Sequence, residues 1–165
     1  MPLLKDGTAV DDSWVAVTDG EPVPADRPAI LPLERWKAER DALRGHNAPL
    51  GVRLASHEKV EDIAEDIDRL ALIALDFPKF QDGRAYSSAR LLRERHGFKG
   101  ELRAVGNVLA DQFLFMHRCG FDAFEVADPA KAALWDKVMA QFSVFYQPTG
   151  DGRRTILQQR HGGGR

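Results

Sequence analysis

From Gly51 onward, the apolar positions alternate between the spacing of strands and the spacing of helices. Residues 51–55 (GVRLA) predict a strand. Residues 57–70 place apolar side chains three or four positions apart with acidic ones opposite, which indicates an amphipathic helix. Residues 70–77 (LALIALDF) form an almost unbroken apolar run, which is typical of a strand buried on both faces.

The same alternation continues through the rest of the chain. We predict further elements as follows: helices over 86–97, 108–120 and about 129–141, strands over 101–107 and 122–127, and an edge strand in 143–148 (SVFYQP). Asp128 followed by Pro129 favours the start of the last helix, because Asp is a preferred N-cap and Pro a preferred first helical residue.

Strands that alternate with helices at this spacing predict parallel βαβ units. The expected fold class is therefore α/β, with a core of βα repeats over 51–147 that forms either a small parallel sheet or half of a β/α-barrel. Residues 1–50 contain six prolines and predict an irregular N-terminal extension, with a short strand in 13–17 and a short helix in 33–45. Residues 148–165 end in glycines and predict a partly disordered C-terminal tail.

Composition narrows the function classes. Hydrophobic residues make up 44% of the chain and charged residues 29%, as in ordinary globular proteins, and the formal net charge of −2 predicts no attraction to nucleic acid or to an anionic membrane. No apolar run approaches the roughly 20 residues that span a bilayer. The first twelve residues become acidic where a signal peptide would be apolar, so we expect a cytoplasmic protein.

The common catalytic and metal-binding motifs are missing from the sequence. A single cysteine, Cys119, cannot form an internal disulfide, and the five histidines show no HExxH or similar spacing, so no metal site is predicted. There is no GxGxxG, GxxxxGK[ST] or GxSxG. The sequence therefore assigns no catalytic residue and no cofactor, and an electron-transfer role would require a bound flavin or cluster.

Polar residues gather where the predicted strands end, which is where parallel α/β proteins bind ligands. Arg84 places a cation in the first turn of a helix, against the helix dipole, which suits a bound anion. The alternative is that Arg84 pairs with a nearby carboxylate and shapes the loop. The candidate ligand-binding residues are Asp76, Lys79, Arg84, Tyr86, Ser87 and Asn107. For Tyr86 and Ser87, packing and capping of the helix start are the alternatives, and Asn107 is also a candidate helix cap.

Charge is unevenly distributed along the core. Residues 84–103 are mostly basic, whereas the preceding helix is acidic. Such surfaces can steer a partner, although solvated helix faces produce the same pattern. No aromatic residues interleave with the arginines of this segment, so nucleic-acid binding is not expected.

Residues 77–126 resemble a bacterial domain-of-unknown-function family whose members are typically encoded beside assimilatory sulfite reductase and are often labelled oxidoreductases. Four stretches carry the resemblance: FPKFQDGRAYSSARLLR from Phe77 to Arg93, GELRAVGN from Gly100 to Asn107, Asp111-Gln112, and RCGFD from Arg118 to Asp122. The resemblance implies a process, the reduction of sulfite to sulfide, and it carries over no catalytic residues.

Two hypotheses follow. The first is an accessory protein that binds sulfite reductase through the basic 84–103 segment and the strand-end loops. The alternative is a small α/β enzyme or binding protein for an anionic metabolite such as sulfate, phosphate or a nucleotide. Pairing of two half-barrels into a homodimer is left open by the sequence.

Overall fold

An eight-stranded sheet forms the centre of the structure, a computed structural model that describes residues 2–162. Its strands are β1 (Leu3–Lys5), β2 (Thr8–Val10), β3 (Val15–Ala16), β4 (Ala29–Pro32), β5 (Leu50–Leu54), β6 (Leu72–Phe77), β7 (Glu101–Gly106) and β8 (Ala123–Glu125). They lie in the order β2-β1-β8-β7-β6-β5-β4-β3. Strands β3 to β8 are parallel neighbours in chain order, and β1 pairs antiparallel with both β8 and β2.

The strand order explains the shape of the sheet. Because each parallel strand is followed by its neighbour on the same side, every right-handed crossover places its helix on the same face. The sheet curls into a half-barrel with these helices outside, which confirms the predicted α/β fold and selects the half-barrel over the open sheet. The other face of the sheet is concave.

Short helical segments cover the outer face. The α-helices are α1 (Leu33–Glu39), α2 (Arg84–Arg90), α3 (Phe113–Arg118), α4 (Trp135–Met139) and α5 (Ile156–His161). Helices of the 3-10 type span Ala42–Gly45, Val60–Arg69, Ala110–Gln112 and Pro129–Leu134, and a π-helical turn spans Leu91–Arg95. Their apolar side chains pack with the outward-facing strand residues in one large core that includes Trp36, Phe77 and Phe113. None of the helices within residues 2–162 is long and apolar enough to cross a bilayer.

The N-terminal fifty residues contribute more to the sheet than their sequence indicates. The predicted strand in 13–17 is present as β3, and the predicted helix in 33–45 is present as α1 and a 3-10 turn. The expectation of an irregular extension missed β1, β2 and β4, however. These strands have only three or four residues each, and β4 ends in a proline, so periodicity gave no signal for them.

Three other expectations need correction. The amphipathic helix predicted over 57–70 is present over Val60–Arg69 but is wound as a 3-10 helix. Apolar residues three or four positions apart suit either winding, so the sequence did not distinguish the two. Segment 143–148 makes only a single bridge, between Phe145 and Thr155, so it is no strand of the sheet. The tail contains α5, which Thr155 and Gln158 begin with a capping box. Gly163 to Arg165, where disorder was predicted, lie outside the described residues.

A buried arginine organises the concave face. Arg103 of β7 is fully buried, and its guanidinium donates to both carboxylate oxygens of Asp12, at 2.6 and 3.1 Å, and to Glu101 at 2.8 Å. Glu125 of β8 lies 3.6 Å from the same group. Asp12 precedes β3, so this cluster fastens the N-terminal segment across the concave face, where Trp14 packs on the small apolar cluster of Ile30, Leu72, Ala74 and Val105.

We predict that Asp12→Asn lowers the free energy of unfolding by about 1–3 kcal/mol, because it weakens a charge-assisted pair with a buried cation. Burial alone would raise the pKa of Asp12, but the bonds from Arg103 outweigh it and lower that pKa. The stabilisation is therefore present at neutral pH and is lost as the pH falls below the ordinary value of 3.8. Urea unfolding at several pH values measures it, with Asp11→Asn, an exposed neighbour, as the control. Equal unfolding of the two variants would contradict the prediction.

Candidate functional site

Arg84 joins the ends of two neighbouring strands. Its guanidinium donates to the two carboxylate oxygens of Asp82, at 2.9 and 2.6 Å, and to the Ser56 hydroxyl, which follows β5, at 3.0 Å. The bonds from Arg84, and then from Ser56, hold the pKa of Asp82 well below its usual range. The guanidinium thus has the carboxylate partner expected from the structural alternative, while the side chain remains 60% exposed. Its role in binding a ligand stays a prediction.

Asp76 lies at the same edge, where β6 and β7 end close together. Its carboxylate accepts a hydrogen bond from Arg53 of β5 at 2.8 Å. Gly106 has φ +90°, and a Cβ there would lie 2.8 Å from the Asp76 carboxylate and 2.7 Å from the Phe77 carbonyl, so only glycine permits this approach. This edge of the sheet is therefore polar and preformed. We call it the rim, and it consists of the carboxyl ends of β6 and β7 and the residues that follow them, including Asp76, Arg84 and Asn107.

Asn107 contributes to the rim through its backbone. Its N–H donates to the Phe77 carbonyl at 2.7 Å, and its side chain is exposed. The next helical segment begins at Ala110 with Leu109 in the cap position and no side-chain cap. The predicted capping role of Asn107 is therefore wrong, because the helix starts at Ala110, two residues later than the sequence indicates.

Tyr86 connects the rim to α3. Its ring meets that of Phe77 edge to face, with centroids 5.1 Å apart, and that of Phe115 at 4.8 Å. Burial raises the pKa of the Tyr86 hydroxyl to about 12. Packing, one of the two roles considered from the sequence, thus describes this side chain. Ser87 and Lys79 are exposed, and Ser87 does not cap α2, whose N-cap is Gly83.

Asp76, Arg84, Tyr86 and Asn107 thus lie at or after the carboxyl ends of β6 and β7, and Tyr86 and Asn107 both contact Phe77. Sequence reasoning missed Arg53 and Ser56, which supply their polar partners. A charged residue inside the apolar strand 51–55 was a usable signal for Arg53. Ser56 carried no such signal, since one serine after a strand is common.

Phe115, whose ring contacts Tyr86, also lines an apolar groove of about 310 Å³. Its walls are α3 and the segment that follows α4, and its exposed lining residues include Phe115, Phe142, Val144 and Tyr146. We call these four side chains the aromatic surface. Arg118 stacks on Phe145 at 3.7 Å and donates to Asp151 at 3.0 Å, which fixes the second wall. Sequence reasoning missed this groove, because it assigned 143–148 to a strand.

The basic 84–103 segment is not one exposed face. Arg103 is buried, and Arg93 donates to the carbonyls of Gly120, Phe98 and Gly100 and to the Asp122 carboxylate at 2.7 Å. Periodicity could not show this, because long side chains on a helix can reach inward to loop carbonyls. Exposed cations of the segment are Arg84, Arg90, Arg95 and Lys99.

The remaining candidate groups are Cys119 and the side chains that could bind a metal ion. Cys119 is buried, as expected from its position, and burial raises the pKa of its thiol. Across residues 2–162, no group of three or more His, Cys, Asp or Glu side chains is arranged to hold a metal ion.

We predict that Tyr86 ionises near pH 12. Tyr146→Phe removes the other of the two tyrosines, so the absorbance of tyrosinate in that variant reports Tyr86 alone. Because the folded-state pKa is raised, the stability due to the neutral hydroxyl is present below pH 10 and is lost as the pH rises towards 12. Ionisation of the folded variant near pH 10 would contradict the packing of Tyr86 described above.

Comparisons with known proteins agree with the resemblance to a family of unknown function. No curated protein matches the chain. A family model described as bacterial protein of unknown function (DUF934) matches residues 51–157, which is about two thirds of the chain and includes β5 to β8 and the rim. The association with sulfite reductase stays a prediction. By this match, the chain belongs to the DUF934 family of bacterial proteins.

Proposed function

We propose that this chain is an accessory protein of assimilatory sulfite reduction that binds sulfite reductase in the cytoplasm. The observation that carries the proposal is the aromatic surface beside the rim. The identity of the partner comes from the resemblance of residues 77–126 to proteins encoded beside that enzyme. The aromatic surface adjoins residues 77–126 directly, because Phe115 belongs to both and its ring contacts that of Tyr86.

The aromatic surface has the composition of a protein-binding site. Large apolar side chains that are exposed together on one groove mark interaction sites more often than scattered ones do. Phenylalanine and tyrosine are enriched at the centres of protein interfaces, where they bury much area for few rotatable bonds. Phe115 and Phe142 are both more than half exposed on opposite walls of the groove.

The groove is also held in shape before a partner arrives. The stacking of Arg118 on Phe145 and its hydrogen bonds to Asp151 and the Gln147 carbonyl anchor the segment after α4. A preorganised groove loses less conformational entropy on binding than a mobile one. The rim adds charged groups, including Arg84, which would supply the polar border of the interface.

We expect Phe142→Ser to weaken binding to sulfite reductase from the same bacterium at least tenfold, which corresponds to about 1.4 kcal/mol for one interface aromatic. Affinity is measured by titrating the purified reductase with the labelled chain. Leu157→Ser is the matched control, because Leu157 is 58% exposed against 55% for Phe142 but does not line the groove.

Two results would contradict the proposal. The first is a wild-type chain that does not bind the reductase and leaves its activity and stability unchanged. The second is binding that is weakened equally by the substitutions at positions 142 and 157, since this would place the interface away from the aromatic surface.

A second candidate function is the binding of an anionic metabolite at the rim. The exposed guanidinium of Arg84 favours it, and Tyr86, Ser87 and Asn107 are further candidate contacts. Asp76 and Lys79 are the other candidate contacts. In this case the partner is a small molecule such as sulfate, sulfite, phosphate or an adenine nucleotide.

Thermal-shift measurements with these four anions test the rim directly. We expect any stabilisation of the wild type to be abolished in Arg84→Ala, because the guanidinium is the candidate anion contact. Arg44→Ala is the control, since Arg44 is also exposed and also pairs with a nearby aspartate, Asp41. A shift that survives Arg84→Ala refutes this site.

A further inference from the structure

A second cleft lies on the concave face, away from the aromatic surface. It has a volume of about 300 Å³ and is lined by residues 16–19, Ile30, Pro32 and Arg53. These residues lie at or just beyond the carboxyl ends of β3, β4 and β5. Ligands of parallel α/β proteins bind at this edge, and the volume is at the lower end of the range for small-molecule sites.

The cleft is built from fixed parts. Ala16 and Ile30 are register partners on this face and supply an apolar wall, and Pro32 extends it. The loop after β3 is fastened by Arg35 of α1, whose guanidinium donates to the carbonyls of Thr18 and Glu21. An exposed loop that is held by an internal arginine provides a preformed site.

Arg53 gives the cleft a cation with unused hydrogen-bonding capacity. Its side chain is 52% exposed, and among residues 2–162 it makes one hydrogen bond, from Nη2 to the Asp76 carboxylate. A guanidinium has five N–H donors in a planar fork that matches a carboxylate. On the concave face, the strand neighbours of Arg53 in register are Pro32 and Ala74, so the guanidinium projects beside an apolar floor.

The remaining charges restrict what can bind. Asp19 lines the same cleft, and Asp76 is bonded to Arg53, so two carboxylates accompany one cation. A dianion such as sulfate would meet a cation that Asp76 already partly neutralises, beside the carboxylate of Asp19. A molecule that carries one carboxylate and one ammonium group would satisfy both signs.

We propose that this cleft binds a small zwitterion, a free α-amino acid with a short apolar side chain. The carboxylate of the ligand pairs with the guanidinium of Arg53, and its ammonium group is attracted by Asp19. The side chain of the ligand packs on Ala16, Ile30 and Pro32. Arg53 also pairs with Asp76 of the rim. None of these residues lines the aromatic surface, so the inference is independent of the proposed binding to sulfite reductase.

Calorimetric titration of the whole chain with glycine, alanine, valine and methionine tests the ligand class. We expect saturable binding that strengthens from glycine to the larger apolar side chains. For valine, we expect at least tenfold weaker binding of 3-methylbutanoate, which lacks the ammonium group, and of isobutylamine, which lacks the carboxylate. Absence of saturable binding by all four amino acids up to about 10 mM overturns the proposal, and so does tighter binding of sulfate than of valine.

Two substitutions place the site. We expect Arg53→Gln and Asp19→Asn each to weaken the binding of valine at least tenfold, whereas Arg44→Gln, on an exposed pair elsewhere, leaves it unchanged. The melting temperature of each variant is measured first, and Asp19→Asn decides the matter if Arg53→Gln does not fold. Binding that is unchanged in a folded Asp19→Asn protein overturns the site. Since sulfite reductase is absent from these titrations, their outcome is separate from that of the docking experiment.

Discussion

The ion cluster at Arg103 is the interaction on which the concave side of this half-barrel depends. A guanidinium without solvent contact is stable only if its donors are paired, and here Asp12 and Glu101 pair with it while Glu125 lies close by. One of these carboxylates lies in the N-terminal segment. The segment that carries Trp14 is therefore held on the concave face by charge as well as by apolar contact. A full barrel would cover this face with further strands, whereas here a short stretch of chain covers part of it.

The two ends of the parallel strands have different roles. At the amino ends, Arg93 ties the π-helical turn to loop carbonyls, and Gly120 is required there because a Cβ would lie 2.5 Å from the Arg93 side chain. Burial raises the pKa of Asp122 despite its pairing with Arg93. At the carboxyl ends, polar side chains remain accessible at the rim and in the concave cleft. Many of the residues in 77–126 that carry the family resemblance are thus explained by packing. Those that remain exposed lie at the carboxyl ends of the strands.

Strong, regular patterns made the central fold predictable. The strands β5 to β8 and their crossovers follow from apolar runs and amphipathic spacing, which depend only on local sequence. The winding of 60–69, the strands β1, β2 and β4, and the segment after α4 did not follow, because tertiary contacts determine them. The site was partly predictable, since strand ends are visible in the sequence. The partners of Arg84 and Asp76 were not, because Ser56 and Arg53 come from a neighbouring strand about 25 residues earlier in the chain.

The pairing of β1 with β8 sets the order in which the chain can complete its fold. The residues of β1 are synthesised more than a hundred residues before their strand partners, Ala123 to Glu125. The bond between Asp12 and Arg103 likewise spans 91 positions. Contacts of such sequence separation form late, after loop-closure entropy has been overcome by local βα units. We therefore expect β1 and β2 to join the sheet last, after the parallel core has assembled.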